Sequence, residues 1–228
     1  MDHSVYDSWK SISNIGITND GKYTASIIKE QEGDDYLLIK DLDSNKELII
    51  PRGYKYIITP DQKFIVSSIK APYADIRKAK IKKVAEEKMP KDSMAIVSLS
   101  SFSVVKIPNI KSYKLGKDFS KYIAYTIDDS IKAKDKKESK PLNLILLNLS
   151  TNKEDTIKGV TDYIFSNNGK SFAAITKPLA KDSITKHGVV YINLDNLARK
   201  KVSIGKTIYK SIALSENGDK LTYLASSD

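Results

Sequence analysis

The residues able to do chemistry in this 228-residue chain are few. There are two histidines, His3 and His187, and no cysteine. A Ser-His-Asp triad would have to take its base from one of those two, and thiolate chemistry is excluded. His187, between Lys186 and Gly188 at a strand entrance, reads as a solvated turn residue. The paired acids Asp34-Asp35, Glu86-Glu87 and Asp128-Asp129 lie in polar turns and insertions. Neighbouring residues do not converge on one helix or strand face, so each pair reads as solvated charge. The chain contains no G-x-S-x-G, H-E-x-x-H, G-x-x-x-x-G-K-[ST] or G-x-G-x-x-G pattern. No residue is assigned a catalytic, cofactor-binding or metal-binding role.

Charge offers a second kind of chemistry. Lys and Arg number 38 against 28 acids, a formal charge of +10. Much of the excess lies in two segments, 70–92 and 128–141, with the densest run from Arg77 to Lys83. Single-strand and base recognition couples basic groups to stacking aromatics. Only Tyr73 is available in these segments. The expectation is weak, salt-sensitive attraction to polyanions, without specific nucleic-acid recognition.

The elements that would position any site come from a repeat. Ile17-Thr18-Asn19-Asp20-Gly21-Lys22-Tyr23 reads as a strand, a tight turn of residues that tolerate left-handed backbone angles, and a second strand. After the turn, Tyr23, Ala25 and Ile27 alternate with Thr24 and Ser26, as in a half-buried strand. The pattern returns around Thr59-Pro60-Asp61, Gly116-Lys117-Asp118, Ser166-Asn167-Asn168 and Ser215-Glu216-Asn217. Aligned on Lys22, Lys63, Lys121, Lys170 and Lys220, the intervals are 41, 58, 49 and 50 residues. Repeats of this length, each with four strands, mark the blades of a β-propeller.

The predicted fold is therefore all-β. It is a partial propeller of about four four-stranded blades (approximately 6–50, 54–107, 111–158 and 162–204) and the first half of a fifth (208–228), forming one continuous segment. Dense Leu, Ile and Val in each third strand, as in Leu142 to Leu149, imply that both faces are covered. Trp9 is expected to pack the start of the chain onto the first blade. Both insertions fall between second and third strands. The first, 70–92, is predicted to be a basic helix near 73–87, with Ile76, Lys80 and Val84 on one face. The second, 128–141, is too polar to fold alone and reads as a flexible Lys-rich loop. The array is expected to form an open arc or part of a larger ring.

No stretch approaches the ~18 consecutive apolar residues of a membrane span. The opening Met1-Asp2-His3-Ser4-Val5-Tyr6 lacks the basic-then-apolar pattern of a signal peptide. The expectation is a soluble chain.

Four stretches give a resemblance. They are Tyr6 to Ile12, Ile50-Pro51-Arg52-Gly53, Ile76-Arg77-Lys78-Ala79-Lys80 followed by Met89-Pro90-Lys91-Asp92-Ser93, and Val105-Lys106-Ile107 leading to Lys111-Ser112-Tyr113-Lys114-Leu115. In order and spacing they resemble the N-terminal propeller of a bacterial branch of the prolyl oligopeptidase family of serine peptidases. The resemblance implies further blades and a C-terminal α/β-hydrolase domain as partners, with a peptide as substrate. It also implies a propeller that restricts and orients peptide access, and a periplasmic or cell-envelope location. The catalytic triad of that family belongs to the hydrolase domain, so no catalytic residue is carried over to this chain. A free-standing propeller scaffold for protein or peptide binding is the alternative.

Overall fold

The computed structural model describes residues 9–127, 141–178, 186–205 and 207–227. His3, the stretch Tyr6 to Ser8 and most of the 128–141 segment lie outside them. The described residues form seventeen strands in four sheets, with one short α-helix, and no sheet closes on itself. The chain divides into two compact units, Met1–Ile110 and Lys111–Asp228, which are described separately.

The repeated turn has a local cause. The Thr18 hydroxyl donates to the Asp20 carboxylate (2.6 Å) and accepts from the Tyr23 amide (3.0 Å), while the Lys22 amide donates to Asp20 (3.1 Å). Side-chain oxygens thereby satisfy the backbone at the tip, and Gly21 takes the required positive φ of 73°. Thr59, Asp61, Lys63 and Phe64 repeat the arrangement, as do Ser166, Asn168, Lys170 and Ser171. The carbonyls of Lys22, Lys63, Lys121 and Lys170 each accept from a leucine amide: Leu42, Leu99, Leu149 and Leu194 respectively. Those four lysines occupy one structural position. The fifth does not: the Ser215 hydroxyl accepts from the Lys220 amide, which puts Lys220 where Tyr23 stands, one place later than the lysine alignment.

The first unit holds two antiparallel sheets in sequence order. One comprises β1 (Lys10–Ile17), β2 (Tyr23–Glu30), β3 (Tyr36–Asp41) and β4 (Glu47–Pro51). The other comprises β5 (Gly53–Ile58), β6 (Phe64–Ile69), β7 (Ser93–Ser98) and β8 (Val104–Ile107). β5 lies against β2 and β3. Ala25, Ile27, Leu37 and Ile39 share one buried cluster with Ile65 and Val97, and Tyr56 and Ile58 of β5 pack on it. Each fully buried Ile or Leu contributes roughly 1.5–3 kcal/mol. The Asp20 amide donates to the Gln62 side chain (3.2 Å), so the two turns also touch.

The second unit differs from the expected pair of separate four-stranded sheets. β9 (Ile110–Leu115), β10 (Tyr122–Ile127), β11 (Leu142–Asn148), β12 (Glu154–Phe165), β13 (Ser171–Thr176), β14 (Gly188–Asn193) and β15 (Arg199–Ile204) form one seven-stranded sheet. β12 is long enough to serve two repeats: Glu154 to Val160 pair with β11, and Val160 to Phe165 with β13. Register shifts on both sides of Val160 allow the change of partner. β16 (Ile208–Leu214) and β17 (Leu221–Ser226) form a two-stranded sheet whose β16 packs on β12 and β13. The turns touch here also: the Asp118 amide donates to the Asn167 carbonyl, and the Asn168 side chain to the Asn217 carbonyl.

Two local expectations need correction. Trp9 is largely exposed at the start of β1 and is not part of the buried core. The insertion is helical over a shorter span, α1 (Tyr73–Ile81), because Lys82 and Lys83 leave helical geometry and Lys83 takes φ 50°. A separate 3-10 turn covers Glu86–Lys88. Of the expected stripe, Ile76 and Val84 are half-buried, Lys80 is exposed, and Ala79 is the buried residue.

Candidate functional site

Among the described residues, each unit contains a cleft that gathers polar groups. In the first unit, a cleft of about 370 Å³ lies between the β2–β3 loop, the β4–β5 turn, the end of β6 and α1. Its floor is set by main-chain pairing. The Arg52 amide donates to the Asp35 carbonyl (2.7 Å), the Lys70 amide to the Arg52 carbonyl (3.0 Å), and the Arg52 guanidinium back to the Lys70 carbonyl (3.0 Å). Arg52 reaches this geometry with φ 64°.

The helix wall is tied to the loop wall. Pro72 occupies the N-cap position of α1 and offers no side-chain cap, which leaves the Tyr73 amide without a local partner. Asp34 supplies one from across the cleft at 2.9 Å, placing a carboxylate at the positive end of the helix. Glu32 accepts from both the Tyr73 hydroxyl and the Arg77 guanidinium, each at 3.1 Å. Asp35 pairs with Lys70 at 3.4 Å. At the base of the insertion, Asp92 accepts from the Tyr54 hydroxyl (2.9 Å) and the Ala71 amide (3.1 Å).

This arrangement can bind charged groups and holds no nucleophile–base pair. Asp34 and Asp35 have separate structural tasks. Glu86 and Glu87 lie exposed on the 3-10 turn. The Tyr73 hydroxyl and Arg77 are engaged with Glu32, which opposes a stacking role in nucleic-acid binding.

The second unit has a cleft of about 340 Å³ lined by Asp162, Thr176, Lys177, His187, Tyr209 and Ser211, among others. His187 is half-buried, and its carbonyl accepts from the Gly205 amide (3.2 Å). Among the described residues, no side-chain hydrogen bond joins its imidazole to a serine or a carboxylate. Beside the cleft, the Lys114 ammonium donates to the Tyr163 carbonyl (2.7 Å) and sits over the Tyr163 ring. Burial pushes the Tyr163 hydroxyl above its ordinary range, opposed by a hydrogen bond from Ser112 and reinforced by Asp162. Among the described residues no group of three His, Asp or Glu is placed to hold a metal ion. No helix among them is long and apolar enough to cross a membrane.

With sheets and clefts in place, comparison with solved structures is informative about fold. A structure from an analysis of two prolyl endopeptidases matches with TM-score 0.50 at 16% identity, over 95% of this chain and 32% of that one. The β-propeller domain of the Trilobed protease from Pyrococcus furiosus, described as having an open velcro topology, gives 0.48 at 13% identity, over 96% and 64%. Structural neighbours of this chain thus include peptidase structures, one of them a β-propeller domain. A eukaryotic initiation factor also matches, with TM-score 0.50 at 12% identity, over 94% of this chain and 49% of that one. No family model matches the sequence, and no curated protein does. The chain spans between about a third and two thirds of the length of these neighbours.

The sequence treated Arg52, Ala79 and Asp92 only as parts of a resemblance. The structure brings their stretches together: Ile50 to Gly53, Ile76 to Lys80 and Met89 to Ser93 all border or anchor the first cleft. Their spacing of some forty residues crosses two sheets, so no local pattern could have joined them.

Proposed function

We propose that this chain is the non-catalytic propeller portion of a prolyl oligopeptidase-type serine peptidase. In that reading it walls the approach to a separate α/β-hydrolase domain, together with further blades, as one propeller segment in the periplasm or cell envelope. The supporting observation is the repeated stacking in which the first strand of a repeat lies on the strands of the repeat before it, as β5 lies on β2 and β3. A stacked array of this kind resists the local opening that would admit a folded protein, while an extended peptide needs only a narrow passage. Its contribution to catalysis is positioning and exclusion of water and bulky substrates.

The test has two parts. The 228-residue chain is expected to leave chromogenic peptide esters uncleaved; turnover lost on His187→Ala would overturn the reading. Sequencing the gene past codon 228 is expected to reveal further blades and a G-x-S-x-G elbow, and an immediate stop codon would contradict it. A stand-alone scaffold for protein or peptide binding is the second reading, since one fold can host unrelated functions.

A further inference from the structure

The first cleft holds two cations that the fold does not use. Its lining residues all lie between Gly33 and Lys80, in α1 and at the ends of two sheets that already stack on each other. Four cationic side chains line it, and two of them are paired: Lys70 with Asp35 and Arg77 with Glu32. Among the described residues, Arg52 and Lys80 have no carboxylate partner.

The acids of the cleft are already engaged. Asp34 holds the Tyr73 amide at 2.9 Å, and Asp35 holds Lys70 at 3.4 Å. With Glu32 included, Arg52, Lys70, Arg77 and Lys80 outnumber the three carboxylates by one charge. The surplus is therefore local and positive.

Geometry suits the surplus to a carboxylate. A guanidinium carries five N–H donors in a planar fork. Arg52 gives one of them to the Lys70 carbonyl at 3.0 Å, which fixes the fork at the cleft floor and leaves donors for a bidentate grip. Lys80 enters from α1, where Tyr73, Ile76, Arg77 and Lys80 follow one another at helical spacing and line the cleft together. The wall also includes Ala71, which is buried, and Ile76, which is half-buried. A volume of about 370 Å³ is that of a small-molecule site, toward the lower end of the usual ~300–1,000 Å³. A dianionic phosphate would meet three carboxylates in the same space, whereas a single negative charge matches the surplus.

We propose that the first cleft binds a carboxylate carried on a short apolar body, gripped by the Arg52 fork and drawn in by Lys80. Two sources share this chemistry: a free N-acylated apolar amino acid and the C-terminal residue of a peptide. The inference rests on the cleft alone and is independent of the peptidase reading.

Amide NMR titration of the full chain tests it, with N-acetyl-leucine and acetyl-Ala-Ala-Leu as probes, each beside its C-terminal amide. Saturable shifts at Ala71, Tyr73 and Ile76 are expected with at least one acid and with neither amide, and the tighter acid identifies the source. Arg52→Lys keeps the charge but loses the fork, and is expected to weaken binding about tenfold. Lys80→Gln is expected to weaken it roughly two- to fivefold. Lys78→Gln removes the same charge from the same helix outside the cleft lining, and is expected to leave affinity unchanged. Lys80 is exposed, so Lys80→Gln carries the test should Arg52→Lys fail to fold. No saturable shift with either acid would overturn the proposal, as would amides that bind equally or equal losses in Lys78→Gln and Lys80→Gln.

Discussion

The Tyr56 hydroxyl lies 2.9 Å from the Ala25 carbonyl, linking the first strand of one sheet to the second strand of the sheet before it. The same hydroxyl lies 2.7 Å from the Asn14 carbonyl, so its proton is shared between two acceptors. Burial pushes the hydroxyl above its ordinary range and keeps it a donor. Tyr56→Phe removes the hydroxyl's bonds to these carbonyls and is expected to cost about 1–2 kcal/mol in urea unfolding. Gly16 lies directly beneath: a Cβ there would sit 2.7 Å from that oxygen. Gly16→Ala is expected to destabilise the wild type more than the Tyr56→Phe variant, and a double-mutant cycle measures the difference.

Gly169 carries φ 65°, and a Cβ on it would overlap the Phe119 carbonyl oxygen of the neighbouring turn. Gly21 carries φ 73° with nothing near its absent Cβ. Gly21→Ala is expected to cost only the left-handed penalty of roughly 1–2 kcal/mol. Gly169→Ala adds the overlap and is expected to cost more, with thermal unfolding as the measurement.

Acid should loosen the first turn. The Thr18 hydroxyl, followed by the Lys22 amide, holds the Asp20 carboxyl below its ordinary value of 3.8. A lowered folded-state value means that the contribution is present above 3.8 and is lost as pH falls below it. The stability difference between wild type and Asp20→Asn is expected to shrink as urea unfolding is repeated from pH 6 down to about pH 3.

The insertion is held at its base more than at its exposed wall. Asp92→Ala removes the partners of the Tyr54 hydroxyl and the Ala71 amide, and is expected to cost about 1–3 kcal/mol and to speed hydrogen exchange at Ala71. Arg77→Ala breaks an exposed pair with Glu32 and is expected to cost under about 1 kcal/mol, an effect that salt erases.

The repeating turn was legible because its side chains make the turn themselves, as Thr18 and Asp20 do. The alignment failed by one place at Lys220 because Asp219 stands where Lys22 and Lys170 stand in a loop of the same length, and accepts from the serine hydroxyl there. The continuity of β12 was hidden because Gly159 and Thr161 resemble a turn, whereas main-chain pairing on both sides carries the strand through. Trp9 was misplaced on the assumption that a large aromatic near the chain start must be buried. The first cleft was unreadable, since Asp34 and the Tyr73 amide meet only after four strands have folded.

The central claim is that within each unit the repeats stack turn beside turn. The chain has no cysteine, so introduced thiols report geometry without background. Asn168→Cys with Asn217→Cys joins two turns that already touch through a 2.9 Å hydrogen bond. A short bifunctional thiol reagent is expected to link them rapidly within one chain in native buffer and slowly in urea. Equal rates in the two conditions, or no intramolecular product, would contradict the stacked array.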